Sequence, residues 1–303
     1  MLPEAVLNVK AHMRIRTILL QRSSVKSLTF LGDMFDGVQC PCILLQLIAT
    51  GKPLSTAGMM IEDRTRTYTI AMERTVVPEN FSFRMTDEEY RVLEKIKNSI
   101  PVCYLADHAD FALGIVTGNN KKFLSAEKTE HSEMVLKGTD ICKYHINPAK
   151  QYLRFEPEQF QQVAPLEIYR APEKLLYRFI SNQLVVAYDD RQMLSLNSCN
   201  IVIPKIEGMQ IKYILAILNS SVSQFVYQKE FHSIKVLRAH MEHIPIPRVG
   251  KAIQNEIIAM TEPLICGMGK EAAETCQKRL DCRIMDLFRL SAEEQWIIRH
   301  ALH

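Results

Sequence analysis

The chain lacks long apolar runs, a strong charge of either sign and the compact signatures of common catalysis. Its richest apolar stretches are interrupted by Lys, Gln or Asn before reaching the roughly 18 residues that a membrane-spanning helix needs. The N-terminal segment MLPEAVLNVKAH has no basic stretch followed by an apolar core, the form of a secretory leader. With 37 Lys+Arg against 34 Asp+Glu, the formal net charge is only +3, which excludes a global basic field. Gly-x-Ser-x-Gly, Gly-x-Gly-x-x-Gly and His-Glu-x-x-His are all missing, so the commonest hydrolase, dinucleotide-binding and zinc-protease signatures are excluded.

What is present is globular. The 303 residues, 47% hydrophobic and 23% charged, suffice for one large domain or two ordinary ones. The eight cysteines are scattered, and Cys199, Cys266, Cys276 and Cys282 lie in apolar surroundings. That usage suits reduced thiols and a cytoplasmic location. Cys40-x-Cys42 has the wrong spacing for paired zinc ligands, and neither Cys142-x-x-His145 nor His240-x-x-His243 has an evident partner pair, so no metal site is expected. The carboxylate pairs Asp189-Asp190 and Asp107/Asp110 sit where turns explain them.

Ala5, Leu7, His12, Ile15 and Leu19 form an imperfect helical stripe, and Val25–Leu31 reads as a strand. Residues 42–48 (CILLQLI) have almost no polar interruption, which predicts a strand buried on both faces. Residues 66–71 alternate like an outer strand. Thr86 and Glu89 form a capping box that predicts a helix over Asp87–Asn98. The main boundary is expected at about residue 100, after that helix and close to Pro101. Residues 175–188 read as a hairpin around Ser181-Asn182, and 201–203 as a further strand. Apolar positions 211, 214, 215, 218, 222, 225 and 226 predict one helix over Ile211–Tyr227. After Gly250 the pattern is helical, with a stripe at Ala273, Cys276, Leu280, Ile284 and Leu287 and a second capping box at Ser291/Glu294.

Local basic segments supply the candidate contacts. Gly114–Lys122 is a glycine- and asparagine-rich loop whose glycines would let the backbone approach phosphates and whose Lys121 and Lys122 would neutralise them; a plain turn into a strand is the alternative. Lys229, His232, Lys235 and Arg238 recur every three residues, as a cationic helix face or an ordinary solvated one. Tyr169-Arg170, Lys174 and Tyr177-Arg178 interleave aromatic and basic groups, suited to base or sugar contacts and equally to an exposed sheet face.

A series of short motifs occurs in order: Gly114–Asn120 (GIVTGNN), Leu136–Ile141 (LKGTDI), Lys174–Ser181 (KLLYRFIS), Ala187-Tyr188-Asp189, Leu196-Asn197-Ser198, Tyr213–Ser220 (YILAILNS) and Ile244–Pro247 (IPIP). Together they resemble the TaqI-like C-terminal specificity domain, the target-recognition half of adenine-specific DNA methyltransferases and of fused restriction–modification enzymes. The N-terminal residues Leu2–Ala5, His12, Ile15-Arg16, Leu31–Val38 and Cys42–Leu47 resemble the last strands of the methyltransferase domain.

The resemblance implies an α/β fold: the end of a Rossmann-like methyltransferase sheet (1–100), a mixed α/β target-recognition domain (101–250) and a helical tail (251–303). It implies double-stranded DNA and a methyltransferase catalytic domain or subunit as partners, with no membrane. The family's Gly-containing S-adenosylmethionine loop and its Asn/Asp-Pro-Pro-Tyr/Phe motif are missing here; the one Asn-Pro, Asn147-Pro148, continues as Ala-Lys. No cofactor site and no catalytic residue is therefore assigned, and S-adenosylmethionine and base flipping belong to the complete enzyme. Phosphate contacts are expected from Lys121, Lys122, Lys143, Lys229 and Lys235, and base or sugar contacts from Asn119, Asn120, Arg170, Arg178 and Arg238; Lys174 and His232 complete the candidate set. The alternative is a scaffold that binds a methyltransferase partner without reading DNA.

Overall fold

The computed structural model describes residues 1–303 apart from Gln39, Glu79, Asn80, His232 and His303. It is a mixed α/β protein of two compact units: Met1–Leu93 with Lys229–Phe231, and Glu94–Gln228 with His232–His303. No helix among the described residues is long and apolar enough to cross a membrane.

The first unit contains β1 (Leu2–Pro3), α1 (Met13–Arg22), β2 (Ser23–Asp33), β3 (Pro41–Ala49), β4 (Met60–Glu62), β5 (Thr67–Thr69) and the start of α2 (Asp87–Asn98). Its five strands lie in the order β1-β3-β2-β4-β5. All pairs are antiparallel except β2–β4, which is parallel. Val25, Leu28 and Phe30 of β2, with Ile43, Ile61 and Phe83, form its core. The capping box is present as read: Thr86 N–H donates to Glu89 Oε2 at 2.8 Å, and Glu89 N–H to Thr86 Oγ1 at 3.3 Å. The expectation for residues 42–48 is corrected. Cys42 and Ile43 are buried, but Leu44, Leu47 and Ile48 are 43%, 43% and 53% exposed, so the run is not buried on both faces; β1 pairs with β3 only at Cys42 and Ile43.

The second unit continues with β6 (Val102–Cys103), β7 (Ala109–Ala112), α3 (Asn120–Phe123), β8 (Leu124–Ser125), β9 (Glu133–Leu136) and β10 (Tyr152–Leu153). Next come α4 (Leu166–Tyr169), β11 (Lys174–Arg178), β12 (Val186–Asp189), β13 (Leu194–Ser195) and β14 (Cys199–Pro204). The chain closes with α5 (Ile211–Asn219), α6 (Ser221–Glu230), α7 (Arg238–Glu242), β15 (Ile246–Pro247), α8 (Lys251–Ile265), α9 (Lys270–Leu287) and α10 (Ala292–Ala301). Two four-stranded sheets, β12-β11-β14-β7 and β13-β9-β10-β8, enclose a core that includes Ile115, Leu136, Leu176, Ala187, Leu194 and Ile201.

The single helix expected over Ile211–Tyr227 is two helices, and side-chain chemistry explains the break. Asn219 turns its amide onto the outer edge of β12: it accepts from Val186 N–H at 3.1 Å and donates to Val186 O at 2.8 Å. Ser220 is then extended (φ −68°, ψ 158°), and its Oγ accepts from Ser223 N–H at 3.2 Å to start α6. Gln224 repeats the device one turn on, accepting from Leu184 N–H at 2.8 Å and donating to Leu184 O at 3.0 Å. Asp281 of α9 accepts from Ser221 N–H at 2.9 Å and Ser221 Oγ at 2.8 Å, tying the C-terminal helices into the same unit.

Glycine positions of the motif series are packing constraints. A Cβ on Gly114 would lie 2.1 Å from Leu196 O, and one on Gly138 would lie 2.5 Å from Ser198 O. Gly114→Ala therefore forces apart the backbones of two segments, and urea unfolding is expected to show a loss of several kcal/mol or failure to fold, whereas Gly250→Ala, which meets open space, is expected to cost under about 1 kcal/mol.

Candidate nucleic-acid interface

The cationic residues singled out in the sequence divide into those consumed by the fold and those it leaves at the surface. Lys174 and Asp189 are both fully buried and 2.5 Å apart, joining β11 to β12, and Lys174 Nζ also donates to Tyr169 O at 2.6 Å. Asp189 additionally accepts from the N–H groups of Arg191 and Met193, at 2.9 and 3.0 Å. Burial pulls the Lys174 ammonium below its ordinary value, and the Asp189 carboxylate opposes that shift. Lys174 is out of reach of a phosphate, which corrects its expected role.

Lys229 is corrected in the same way. It is buried, and its Nζ lies 2.7 Å from Glu89 Oε1 within the first unit. Arg178 donates from Nε to Gly138 O at 2.9 Å and from a terminal nitrogen to Ile141 O, so its guanidinium braces the Gly138–Asp140 turn rather than facing bases. Lys143 donates to Asn219 O at 3.2 Å, at the C-terminal end of α5. Arg170 is half-buried and bridges Glu133 Oε1 (2.6 Å) and Gln192 O (2.7 Å). His232 lies outside the described residues.

Asn119, Asn120, Lys121, Lys122, Lys235 and Arg238 are exposed. Asn119 caps α3, its side chain accepting from Lys122 N–H at 3.2 Å, and Asn120 Oδ1 accepts from Thr117 Oγ1 at 2.6 Å. These bonds fix the loop while keeping its lysines outward. Phe123 anchors it, edge-on to Phe160 at 5.4 Å between ring centroids, and Lys122 Nζ sits 4.6 Å from the Phe123 centroid. Arg238 is paired with Glu242 at 2.7 Å and lies 5.1 Å from the Phe111 centroid.

The sheet adds a residue that periodicity does not find. Leu153 of β10 pairs with Leu124 of β8, immediately after α3. Arg154 follows β10; its side chain is 64% exposed and its Nε lies 2.9 Å from Glu156 Oε1. Lys150 lies exposed at the other end of β10. The one available signal is their flanking of the short alternation Gln151-Tyr152-Leu153. Lys121 and Lys122 thus form a local basic pair beside the Phe123–Phe160 contact, in a chain with little net charge.

A second exposed feature is an arm formed by two distant loops. Ile180 and Lys235 make an antiparallel bridge, flanked by Ser181 N–H donating to Ile234 O (2.9 Å) and Val236 N–H to Phe179 O (2.8 Å). His240 stabilises its base: Nδ1 accepts from Leu237 N–H at 3.2 Å, and burial lowers the imidazole to about 4, so it is neutral at physiological pH. Among the described residues, no three His, Cys, Asp or Glu side chains gather as a metal site.

The family model of the TaqI-like C-terminal specificity domain matches residues 133–246, so this part of the chain is a TaqI-like specificity domain. No curated protein matches the chain. Among solved structures, the type IIL restriction-modification enzyme MmeI in complex with DNA shares the fold, with a TM-score of 0.57 and 9% identity over 96% of this chain and 46% of that one. The ATP-dependent type ISP restriction-modification enzyme LlaBIII bound to DNA has a TM-score of 0.49 and 7% identity over 87% of this chain and 25% of that one. The type IIG restriction endonuclease BpuSI has a TM-score of 0.38 and 10% identity over 95% and 46%. This chain spans less than half the length of each.

The Glu89–Lys229 pair yields a pH prediction. Burial would raise the Glu89 carboxyl, but Lys229, the Thr86 amide and Arg66 together hold it below its ordinary value. Its contribution to stability is therefore present above the unfolded carboxyl value of about 4.3 and is lost as pH falls through the lower folded value. Glu89→Gln is expected to flatten the acid limb of the stability–pH curve and, by removing the carboxylate of a buried ion pair, to lower stability near neutrality by urea unfolding.

Proposed function

We propose that the second unit is the DNA target-recognition module of an adenine-specific restriction–modification system, and that the methyl-transferring machinery lies in a catalytic domain or subunit outside these 303 residues. The observation that carries this reading is the match of residues 133–246 to the TaqI-like specificity domain, in the same unit as the exposed pair Lys121 and Lys122. Lysines there act as point charges on phosphates, while arginine and the neighbouring asparagines can address base edges. In this division of labour the module holds the duplex in register, and the catalytic part flips the adenine and binds S-adenosylmethionine. The first unit is then the end of the methyltransferase sheet. The uncovered edge of β3, with Leu44, Leu47 and Ile48 exposed, is the face the catalytic polypeptide would cover. A cytoplasmic location accords with a duplex DNA substrate and eight unpaired thiols.

That same β3 edge favours the second reading, a scaffold that holds a methyltransferase partner and leaves DNA to it. Fluorescence polarisation with mixed-sequence duplexes at low salt separates the two. Target recognition predicts binding that weakens steeply with salt, and Lys121→Ala and Lys122→Ala are each expected to reduce the log–log salt slope by about 1 while leaving unfolding unchanged. Absence of duplex binding, both by the chain alone and as an increment to the affinity of the catalytic partner, would leave only the scaffold.

A further inference from the structure

We propose that Ile180 and Lys235 form a two-part prong that reads thymine in the major groove, with Ile180 against the 5-methyl group and Lys235 on an adjacent backbone phosphate; the proposal rests on the DNA-recognition reading above. Ile180 is 62% exposed although it directly follows a strand whose other aliphatic side chains are buried. It is not a loose surface residue. The two flanking hydrogen bonds, Ser181 N–H to Ile234 O and Val236 N–H to Phe179 O, define the Ile180–Lys235 position as a non-hydrogen-bonded antiparallel pair. Side chains at such a pair stand on one face with their Cβ atoms about 5 Å apart. By strand alternation Leu237 joins that face, while Val236 points inward and is fully buried.

The arm is held from beneath. Tyr227 is buried, and its hydroxyl donates to Ser233 O at 2.8 Å. Ser233 Oγ donates to Lys235 O at 3.0 Å and accepts from Lys235 N–H at 3.1 Å. On the other strand, Arg178 is locked onto Gly138 O, and Phe179 N–H donates to Ser198 O at 3.0 Å. A β-branched side chain on so fixed a backbone loses little freedom on contact.

The chemistry of the prong selects its ligand. A two-stranded ribbon fits the major groove, and the only apolar group on any base edge there is the thymine methyl. Lys235 beside Ile180 supplies positive charge next to the aliphatic contact, while Arg238, three residues on, is paired with Glu242. Protein-docking surfaces are instead depleted of lysine at their centres.

The test begins with duplexes selected from a randomised pool by the full chain. Each thymine of the selected sequence is replaced in turn by deoxyuridine, which removes only the 5-methyl group, and affinities are measured for the native chain and for Ile180→Ala. At one thymine, loss of the methyl is expected to weaken the native chain about fourfold, the equivalent of ~0.8 kcal/mol for one buried carbon. Ile180→Ala is expected to be indifferent to the same replacement. Lys235→Ala is expected to weaken all duplexes alike and to lower the salt slope by about 1. If no deoxyuridine affects the native chain, or if the affected thymine matters equally to Ile180→Ala, the prong does not read thymine. If the native chain selects no duplex at low salt, the DNA-recognition reading fails, and this inference fails with it.

Discussion

The second unit depends on how one sheet edge is closed. β12 is the terminal strand of its sheet, and the outward polar groups of its Val186 and Tyr188, and of Leu184 just before it, would be buried without partners. Gln224 takes both groups of Leu184, and Asn219 takes both groups of Val186. The backbone of Tyr144, in the left-handed region at φ 74°, donates to Val186 O and accepts from Tyr188 N–H. Each buried group left unmade would cost on the order of 1–3 kcal/mol, so these amides are worth more than the helix continuity they interrupt. Breaking the helix at Ser220 in turn frees Ser221 to be capped by Asp281. One constraint thereby fixes a sheet edge, a helix break and the docking of the C-terminal helices.

A similar economy governs the charges. Among the described cationic candidates, the buried ones are matched to specific acceptors: Lys174 to Asp189, Lys229 to Glu89, Arg178 to two carbonyls. They make the frame rigid. In the second unit they leave Lys121, Lys122 and the Ile180–Lys235 arm on exposed loops, the residues the proposed DNA reading needs. In a chain of net charge +3, sorting cations into frame and surface is what creates a local basic site.

Much of this was legible from the sequence where the signal is local. Thr86/Glu89 and Ser291/Glu294 form capping boxes, the hairpin of β11 and β12 is present, and the helical stripe from Ala273 lies on α9. The failures are non-local. Lys174 and Arg178 look exposed in a basic–aromatic alternation because their acceptors, Asp189 and Gly138, are distant in sequence. Periodicity carries helix α5 through Ser220 because nothing local reveals that Asn219 is claimed by a strand 33 residues earlier. The run at 42–48 reads as doubly buried, yet Leu44, Leu47 and Ile48 are exposed, and nothing in the apolar run itself distinguishes them from the buried Cys42 and Ile43. The glycines of the 114–122 loop read either as a plain turn or as a close approach to phosphates, and neither reading finds that Gly114 is required by the Leu196 backbone.

On the proposed reading, the exposed loops of the second unit meet duplex DNA on a frame that does not rearrange. Hydrogen–deuterium exchange of the full chain with and without duplex measures this directly. Target recognition predicts slowed exchange at residues 117–123 and 178–183 and around Ile234–Arg238, with Leu184 and Val186 equally protected in both states. Protection confined to Met1–Leu93, or loosening of Leu184 and Val186 on adding DNA, would contradict it.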